Sequence, residues 1–168
     1  MSLDGCPKSS FIIPHWRQND ILIIFDASKQ SMFKHSFQKR VRYGETDQMG
    51  YLYYGHYPLL YEIGRVEAIR SLGLSYKSLE EEYGVMMPVV EVESKYIKPA
   101  LYDEMIRIDT ILHEMPRRTI EFFFELFNEE DILIHKARVK LVFVHMKTNK
   151  MVVAPNYLTD KLMTCFEK

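Results

Sequence analysis

The sequence predicts an α+β domain in which a single antiparallel sheet wraps around one long, buried helix. The decisive observation is a change of periodicity. Hydrophobic residues have helical spacing between Pro58 and Leu72, whereas after Gly84 they alternate with a period of two, as they do in strands. The chain has 168 residues, of which 47% are hydrophobic. This length fits one domain with a core and excludes a wholly disordered chain.

The central helix is predicted over Pro58 to Leu72. Proline is common in the first turn of a helix, and glycine, here Gly73, commonly follows the last one. Apolar side chains surround most of the circumference instead of forming one stripe, which is typical of a helix that other elements cover on most sides. Shorter helices are expected over Tyr76 to Tyr83, before Gly84, and over Asn156 to Phe166.

Strands are predicted on both sides of this helix. One mixes apolar and basic residues and precedes the helix. The others follow Gly84, and polar turns separate the later ones. The predicted strands are Phe33 to Tyr43, Val89 to Ile97, Met105 to Leu112, Thr119 to Phe127 and a long strand that contains Ala137 to Phe143. Because a single open sheet leaves two edges unpaired, we expect copies of the chain to pair as a homodimer or homotetramer.

The first 34 residues differ from the rest. Proline, serine and asparagine interrupt them, and their only strand-like run is Ile21 to Phe25. That run is too short for the apolar core of a secretory signal, and Asp26 follows it. We therefore expect an N-terminal extension over residues 1–34, which is an extra strand or a poorly ordered or non-native segment, and a functional domain over residues 35–168.

Composition excludes several classes of function. Lys and Arg total 22 against 23 Asp and Glu, so the basic excess of a nucleic-acid-binding protein is missing. No stretch approaches the roughly 18 apolar residues of a membrane span. The two cysteines, Cys6 and Cys165, are too few for a disulfide framework, which favours a cytoplasmic location, and the spacing of cysteines and histidines predicts no metal site.

The segment Tyr43 to Tyr57 is the strongest candidate for a functional site. It is rich in tyrosine, contains three glycines and has one central carboxylate, Asp47. A carboxylate next to a glycine-opened helix start lies beside backbone N–H groups, and acyl transfer needs such a base or nucleophile close to oxyanion donors. The same residues also have an ordinary explanation: aspartate often caps a helix, and tyrosines pack in cores and dimer contacts.

Three motifs resemble one family. The segment Tyr43–Arg65, with Thr46-Asp47-Gln48-Met49-Gly50 near its start, is similar to the hot-dog-fold acyl-CoA thioesterases of the 4-hydroxybenzoyl-CoA thioesterase type. Tyr96 to Glu104 resembles the family's Tyr-x-x-Pro-Ala-x-Tyr-Gly-Asp stretch, and Arg117 to Thr119 resembles a third motif. Together the motifs span roughly residues 36–153, and their order and spacing are more specific than any one of them.

The resemblance implies a hot-dog fold that pairs into dimers with active sites at the interface. It implies hydrolysis of an acyl-CoA or acyl-carrier-protein thioester to a free acid and a thiol, without cofactor or metal. Asp47 matches the catalytic nucleophile or general base, and backbone N–H groups around Gly50–Leu52 would polarise the carbonyl. The implied catalytic residues are Asp47, Gly50, Tyr51 and Tyr54, and the implied substrate- and CoA-binding residues are Leu52, Tyr57, Arg117, Arg118 and Thr119.

Two positions depart from the family pattern. The family usually has His or Asn where this chain has Tyr54, and Gly where it has Asp103. The change at Tyr54 motivates an alternative, a non-catalytic dimeric protein that binds acyl thioesters. A hot-dog dehydratase or hydratase ranks below both, because those enzymes place a catalytic histidine in motifs that are missing here.

Overall fold

The structure is a computed structural model that describes residues 32–166. Its elements are β1 (Phe33–Arg40), α1 (Tyr57–Ser71), α2 (Tyr76–Glu81), β2 (Val85–Met86), β3 (Val89–Tyr96), β4 (Met105–Leu112), β5 (Thr119–Phe127), β6 (Leu133–Val142), β7 (Val144–His145), β8 (Lys150–Met151) and α3 (Asn156–Phe166). Five strands form an antiparallel sheet in the order β1-β4-β5-β6-β3, and β2, β7 and β8 form a smaller sheet. The predicted α+β fold class is confirmed.

The core lies between α1 and one face of the large sheet. Alternate residues of β5 are buried, as the period-two pattern predicts, and Phe122 and Phe124 lie beneath the helix. Leu60, Tyr61 and Ile69 of α1 face the sheet and are also buried. The opposite side of the helix is less covered than the sequence suggested. The outer face of the sheet carries ion pairs instead, such as those of Arg138 with Glu91, Glu93 and Glu121.

Most element bounds agree with the sequence to within one or two residues, and the exceptions have local causes. β1 ends at Arg40, before the predicted Tyr43, because the chain turns there into a 3-10 helix at Tyr43–Glu45. The small sheet was not predicted, since strands of two residues are too short to show alternation. β1 includes residues 33 and 34 of the predicted extension, Met32 directly precedes it, and residues 1–31 lie outside the described residues.

The two ends of the large sheet carry different sets of residues. Tyr96, His135 and Leu126 lie in one row across β3, β6 and β5, and we call this the site end. Val89 and Leu141 form a row at the opposite end, near the β4–β5 hairpin, and we call this the hairpin end. No helix within residues 32–166 is long and apolar enough to cross a membrane.

Gly64 lets α1 approach the sheet closely. A Cβ atom at this position would lie 2.7 Å from Thr110 Oγ1, 3.1 Å from Ile108 Cγ2 and 3.2 Å from Phe124 Cε1. Glycine within a helix costs about 1 kcal/mol relative to alanine, and overpacking a core costs about 1–3 kcal/mol. The close approach therefore leaves no room for a methyl group at this position without a shift of the helix or the sheet.

We expect Gly64→Ala to lower the free energy of unfolding by about 1–2 kcal/mol, because the clash outweighs the gain in helix propensity. Urea denaturation would measure the change. Gly44→Ala is the matched control, since a Cβ at Gly44 meets nothing within 4 Å. A Gly64→Ala protein as stable as the wild type would show that the helix and sheet adjust at a cost no larger than the gain in helix propensity, about 1 kcal/mol.

Candidate active site

Asp47 lies in a tight hairpin turn at the site end of the sheet. The two arms of the turn are joined by the N–H of Tyr53 donating to the carbonyl of Glu45 at 2.9 Å and by the N–H of Asp47 donating to the carbonyl of Tyr51 at 2.8 Å. The Oδ1 atom of Asp47 accepts hydrogen bonds from the N–H groups of Met49 at 2.8 Å and Tyr51 at 3.3 Å. Within the described chain, its Oδ2 atom accepts none.

These contacts explain what Asp47 does locally. Its side chain accepts hydrogen bonds from backbone N–H groups, as the capping explanation predicted. These N–H groups belong to its own turn and not to a helix N-terminus, because α1 begins only at Tyr57. One carboxylate oxygen therefore fixes the turn. The other is left to act on a ligand.

The backbone N–H groups that the family resemblance implied as donors to the substrate have acceptors within the protein. The N–H groups of Gly50, Tyr51 and Leu52 already donate to Asp47 O, Asp47 Oδ1 and Ala100 O. In contrast, the N–H groups of Tyr54 and Gly55 have no acceptor among residues 32–166. They lie at the start of a 3-10 turn, Tyr54–His56, that leads directly into α1. Helix starts concentrate such unpaired donors and attract negative charge.

Two of the three glycines in this segment have clear local roles. Gly50 has a φ of 77°, the left-handed conformation that glycine adopts without strain, and it closes the Asp47 turn. Gly55 allows a close contact, since a Cβ there would lie 2.6 Å from Cε1 of the exposed Tyr53 ring, which would have to move aside. The Tyr53 ring thus packs directly against the backbone of the 3-10 turn.

A second turn, Leu101 to Glu104, packs beside the first. Leu52 donates to the carbonyl of Ala100, and Tyr102 donates to the carbonyl of Gly50. Asp103 has a φ of 65°, so this chain has an aspartate in the left-handed conformation at the position where the related motif has glycine. Asp and Asn tolerate this conformation better than other non-glycine residues. The turn geometry is thereby kept although the glycine is missing.

Apolar and aromatic side chains around the two turns are exposed in the single chain. Tyr54 is 65% exposed and Met49 is 70% exposed. Further exposed members of this group are Tyr43, Tyr51, Tyr53, Tyr96, Ile97, Leu101 and Tyr102. We call the whole group the aromatic patch. Exposed apolar patches of this kind mark surfaces that another molecule covers.

A buried histidine lies beneath the patch. His135 on β6 is fully buried, and its Nε2 atom forms a hydrogen bond with the hydroxyl of Tyr61, which is also 2.9 Å from Ser94 Oγ. The rings of Tyr57 and Tyr96 pack against the imidazole, with centroids 4.4 Å and 4.7 Å away. Burial lowers the pKa of His135 to about 4 and raises the pKa of Tyr57 to about 12.

Tyr57 and Leu52 therefore form part of the floor of the site and not its open surface. Tyr57 is 2% exposed and Leu52 is 5% exposed. Sequence reasoning gave no role to His135, and it placed Tyr96 in a family motif without a role, although both contact Tyr57. The alternation of β6 could have placed His135 on the inner face, since Ala137, Val139 and Leu141 follow it at every second position.

Arg117, Arg118 and Thr119 lie at the hairpin end. Thr119 begins β5, and the site end is reached only at the other end of that strand, about 27 Å away at 3.4 Å per residue. Both arginines are exposed. Arg117 and Thr119 line a cavity of about 430 Å³, together with His113, Met115 and Phe123. A single chain does not bring these residues together with Asp47.

Comparison with known proteins identifies the family. The family model of the thioesterase-like superfamily matches residues 41–162. The chain belongs to this superfamily. The matched residues include the Asp47 turn, α1 and the whole of the large sheet except β1. The predicted resemblance is confirmed.

The superfamily member is similar to named relatives along most of their length. It is 30% identical to the acyl-CoA thioesterase YbgC of Haemophilus influenzae over 120 residues, which are 71% of this chain and 88% of that one. It is 32% identical to the acyl-CoA thioester hydrolase YbgC of Escherichia coli O6:H1 over 105 residues, which are 62% of this chain and 78% of that one.

Solved structures agree with this assignment. A DHNA-CoA thioesterase from Staphylococcus aureus has a TM-score of 0.71 and 28% identity, covering 80% of this chain and 89% of that one. A 4-hydroxybenzoyl CoA thioesterase has a TM-score of 0.70 over 79% of this chain and 99% of that one, and at 18% identity it shows the fold alone. The hot-dog fold is confirmed.

Proposed function

We propose that this superfamily member hydrolyses acyl-CoA thioesters to a free acid and a thiol. One observation carries the proposal. The free oxygen of the Asp47 carboxylate and the unpaired N–H groups of Tyr54 and Gly55 lie on one hairpin turn and its continuation. A thioester carbonyl needs a nucleophile or base on one side and donors for the developing oxyanion on the other, and these groups can supply both. The names of the relatives favour the same reaction.

The reaction follows from these roles. The thioester carbonyl oxygen accepts hydrogen bonds from the N–H groups of Tyr54 and Gly55, which stabilise the negative charge that develops on it. Asp47 either attacks the carbonyl carbon itself or removes a proton from an attacking water molecule. The carbon–sulfur bond then breaks, and the thiolate leaves and takes up a proton. If water was the nucleophile, the free acid is formed directly. If Asp47 was the nucleophile, the acyl group is held on its carboxylate as an anhydride, and a water molecule hydrolyses this anhydride to release the acid and restore Asp47. Every step uses groups of this chain and water.

We further propose that the active form is a dimer paired through β3. All eight residues of β3 are exposed, and its outer edge has no partner strand within the described chain. Val90 and Val92 are apolar yet 56% and 48% exposed, and Tyr96 of the aromatic patch ends the same strand. An exposed apolar edge strand is a template for pairing with another strand.

Pairing of this kind would also complete the site. A two-fold axis pairs a strand with its own copy in antiparallel orientation. The site end of one copy then lies beside the hairpin end of the other. Asp47 of one copy and the Arg117–Thr119 segment of the second copy would come together, although about 27 Å separates the two ends within one chain. The arginines and the cavity beside them are suited to the phosphates and pantetheine arm of coenzyme A.

Val92→Lys should disrupt this dimer, since it places a charge in the pairing surface but at an already exposed position of the monomer. We expect light scattering to give about 40 kDa for the wild type, twice the 20.0 kDa chain, and a shift towards the monomer for Val92→Lys. Thiol release should fall in parallel. Met163→Lys, on the similarly exposed side of α3, is the control and should stay dimeric and active. A wild-type monomer at micromolar concentration would contradict the dimer.

A thiol-release screen tests the function itself. The purified protein is incubated with short-chain, long-chain and aromatic CoA esters, and with one acyl-carrier-protein ester, while a thiol reagent reports the product. We expect turnover of at least one CoA ester well above background. Saturable binding without turnover would instead indicate the non-catalytic alternative, and hydration of an enoyl-CoA would indicate a hydratase. A cytoplasmic location stays a prediction.

A further inference from the structure

Glu45 is held unusually firmly for a residue on a surface turn. Lys39 Nζ lies 2.5 Å from both of its carboxylate oxygens, and the N–H of Arg42 donates to Oε2 at 2.8 Å. Both side chains of the ion pair are only 18% exposed. Burial by itself raises the pKa of Glu45, but the hydrogen bonds from Lys39 and Arg42 and the charge of Lys39 lower it below its ordinary value. The carboxylate is therefore held as an anion against the end of β1.

The backbone of Glu45 joins the same residue to the other arm of the hairpin turn. Its carbonyl accepts the N–H of Tyr53 at 2.9 Å, and Thr46 and Leu52 pair directly after it. Tyr53 immediately precedes the two unpaired N–H groups, and Asp47 follows Glu45 by two residues. Glu45 thus connects three parts: the end of β1, the arm that carries Asp47 and the arm that leads to the donors.

We propose that Glu45, paired with Lys39, is a positioning residue that sets the placement of the Asp47 carboxylate relative to the N–H groups of Tyr54 and Gly55. This inference rests on the proposed thioesterase function. Glu45 touches no reacting atom in this assignment, because both of its oxygens are occupied by Lys39 and Arg42. Its effect passes through the turn that it fixes.

The size of the effect follows from how precisely reacting groups must be placed. A displacement of 1 Å can lower a rate by about 100-fold. Glu45→Gln keeps one acceptor oxygen for the N–H of Arg42 but removes the charge that holds Lys39. We expect kcat to fall by about 10- to 100-fold and KM to change by less than about 2-fold, since the turn moves while the binding surface remains.

The experiment uses three test variants: Glu45→Gln, Lys39→Gln and the double variant that combines these two changes. The control variant is Glu125→Gln. The Glu125 variant breaks a similar lysine pair, Lys136 to Glu125 at 2.7 Å, on the outer face of the sheet. kcat and KM are measured with the best CoA ester, and hydrogen exchange of the turn amides is measured without substrate. We expect faster exchange at Met49, Tyr51 and Tyr53 in both single variants, a double variant no slower in turnover than the singles, and wild-type behaviour for Glu125→Gln.

Wild-type kcat in Glu45→Gln and Lys39→Gln would overturn the inference, and so would a rate loss no larger than that of Glu125→Gln. The inference would also be overturned if the amides of Met49, Tyr51 and Tyr53 exchange as slowly in both single variants as in the wild type. This measurement does not require an active enzyme. If the wild type hydrolyses no thioester, the proposed function fails, while the exchange measurement still decides whether Glu45 fixes the turn. Lys39→Gln breaks the same ion pair without changing the sequence of the turn. It can therefore be used for the test even if the Glu45 variant folds poorly.

Discussion

Replacing Asp47 by asparagine should lower the kcat of thiol release by about 10²–10⁴-fold, the range expected when a general base or nucleophile is removed. Asparagine keeps an oxygen at the Oδ1 position, so the N–H groups of Met49 and Tyr51 retain their acceptor. The change therefore removes the basic, nucleophilic oxygen without removing the bonds that shape the turn. Alanine at this position would remove both and could not separate chemistry from structure.

The measurement is steady-state kinetics with the best CoA ester, together with urea denaturation to show that the variant is folded. Asp103→Asn is the matched control, because Asp103 is a turn carboxylate at the same end of the sheet and asparagine also tolerates its positive φ. We expect the control to keep its activity. If Asp47→Asn turns over at the wild-type rate, the carboxylate of Asp47 takes no part in catalysis, even though the fold is that of the family.

Most of the fold could be predicted from the sequence, because most of its strands and helices are long enough for the spacing of their hydrophobic residues to show a period. β4 and β5 and the last helix, α3, have the predicted bounds, and each has at least eight residues. The two-residue strands β2, β7 and β8 had no such signal. Their pairing depends on contacts between distant parts of the chain, which periodicity does not report.

The site was readable only in part. The residue types of the Asp47 turn pointed to a carboxylate beside backbone donors, yet which N–H groups are free depends on the pairing of Leu52 with Ala100 and of Gly50 with Asp47. Such long-range and turn hydrogen bonds are fixed by tertiary structure. The same holds for Arg117 and Asp47, because only the order of the strands shows that they lie at opposite ends of the sheet.

His135 should make the protein less stable in mild acid. Its imidazole is fully buried, and burial lowers its pKa to about 4, against an ordinary value of about 6.5 in the unfolded chain. Between these values the unfolded chain binds a proton that the folded protein does not. The contribution of His135 to the free energy of unfolding is therefore fully present above about pH 6.5. It is lost as the pH falls towards 4. The shift of the pKa from about 6.5 to about 4 corresponds to a total loss of about 3 kcal/mol in the free energy of unfolding.

The test is the free energy of unfolding of the wild type and of His135→Gln, measured by urea denaturation between pH 7 and pH 4.5. Glutamine can still bond to Tyr61 but does not titrate, so carboxylates shared by both proteins, such as Glu45 and Asp109, cancel in the difference. We expect the wild type to lose stability relative to the variant as the pH falls. A difference that stays constant, or that grows in favour of the wild type, would mean that the imidazole is protonated in the folded state and that a compensating charge or water reaches it beneath the aromatic patch.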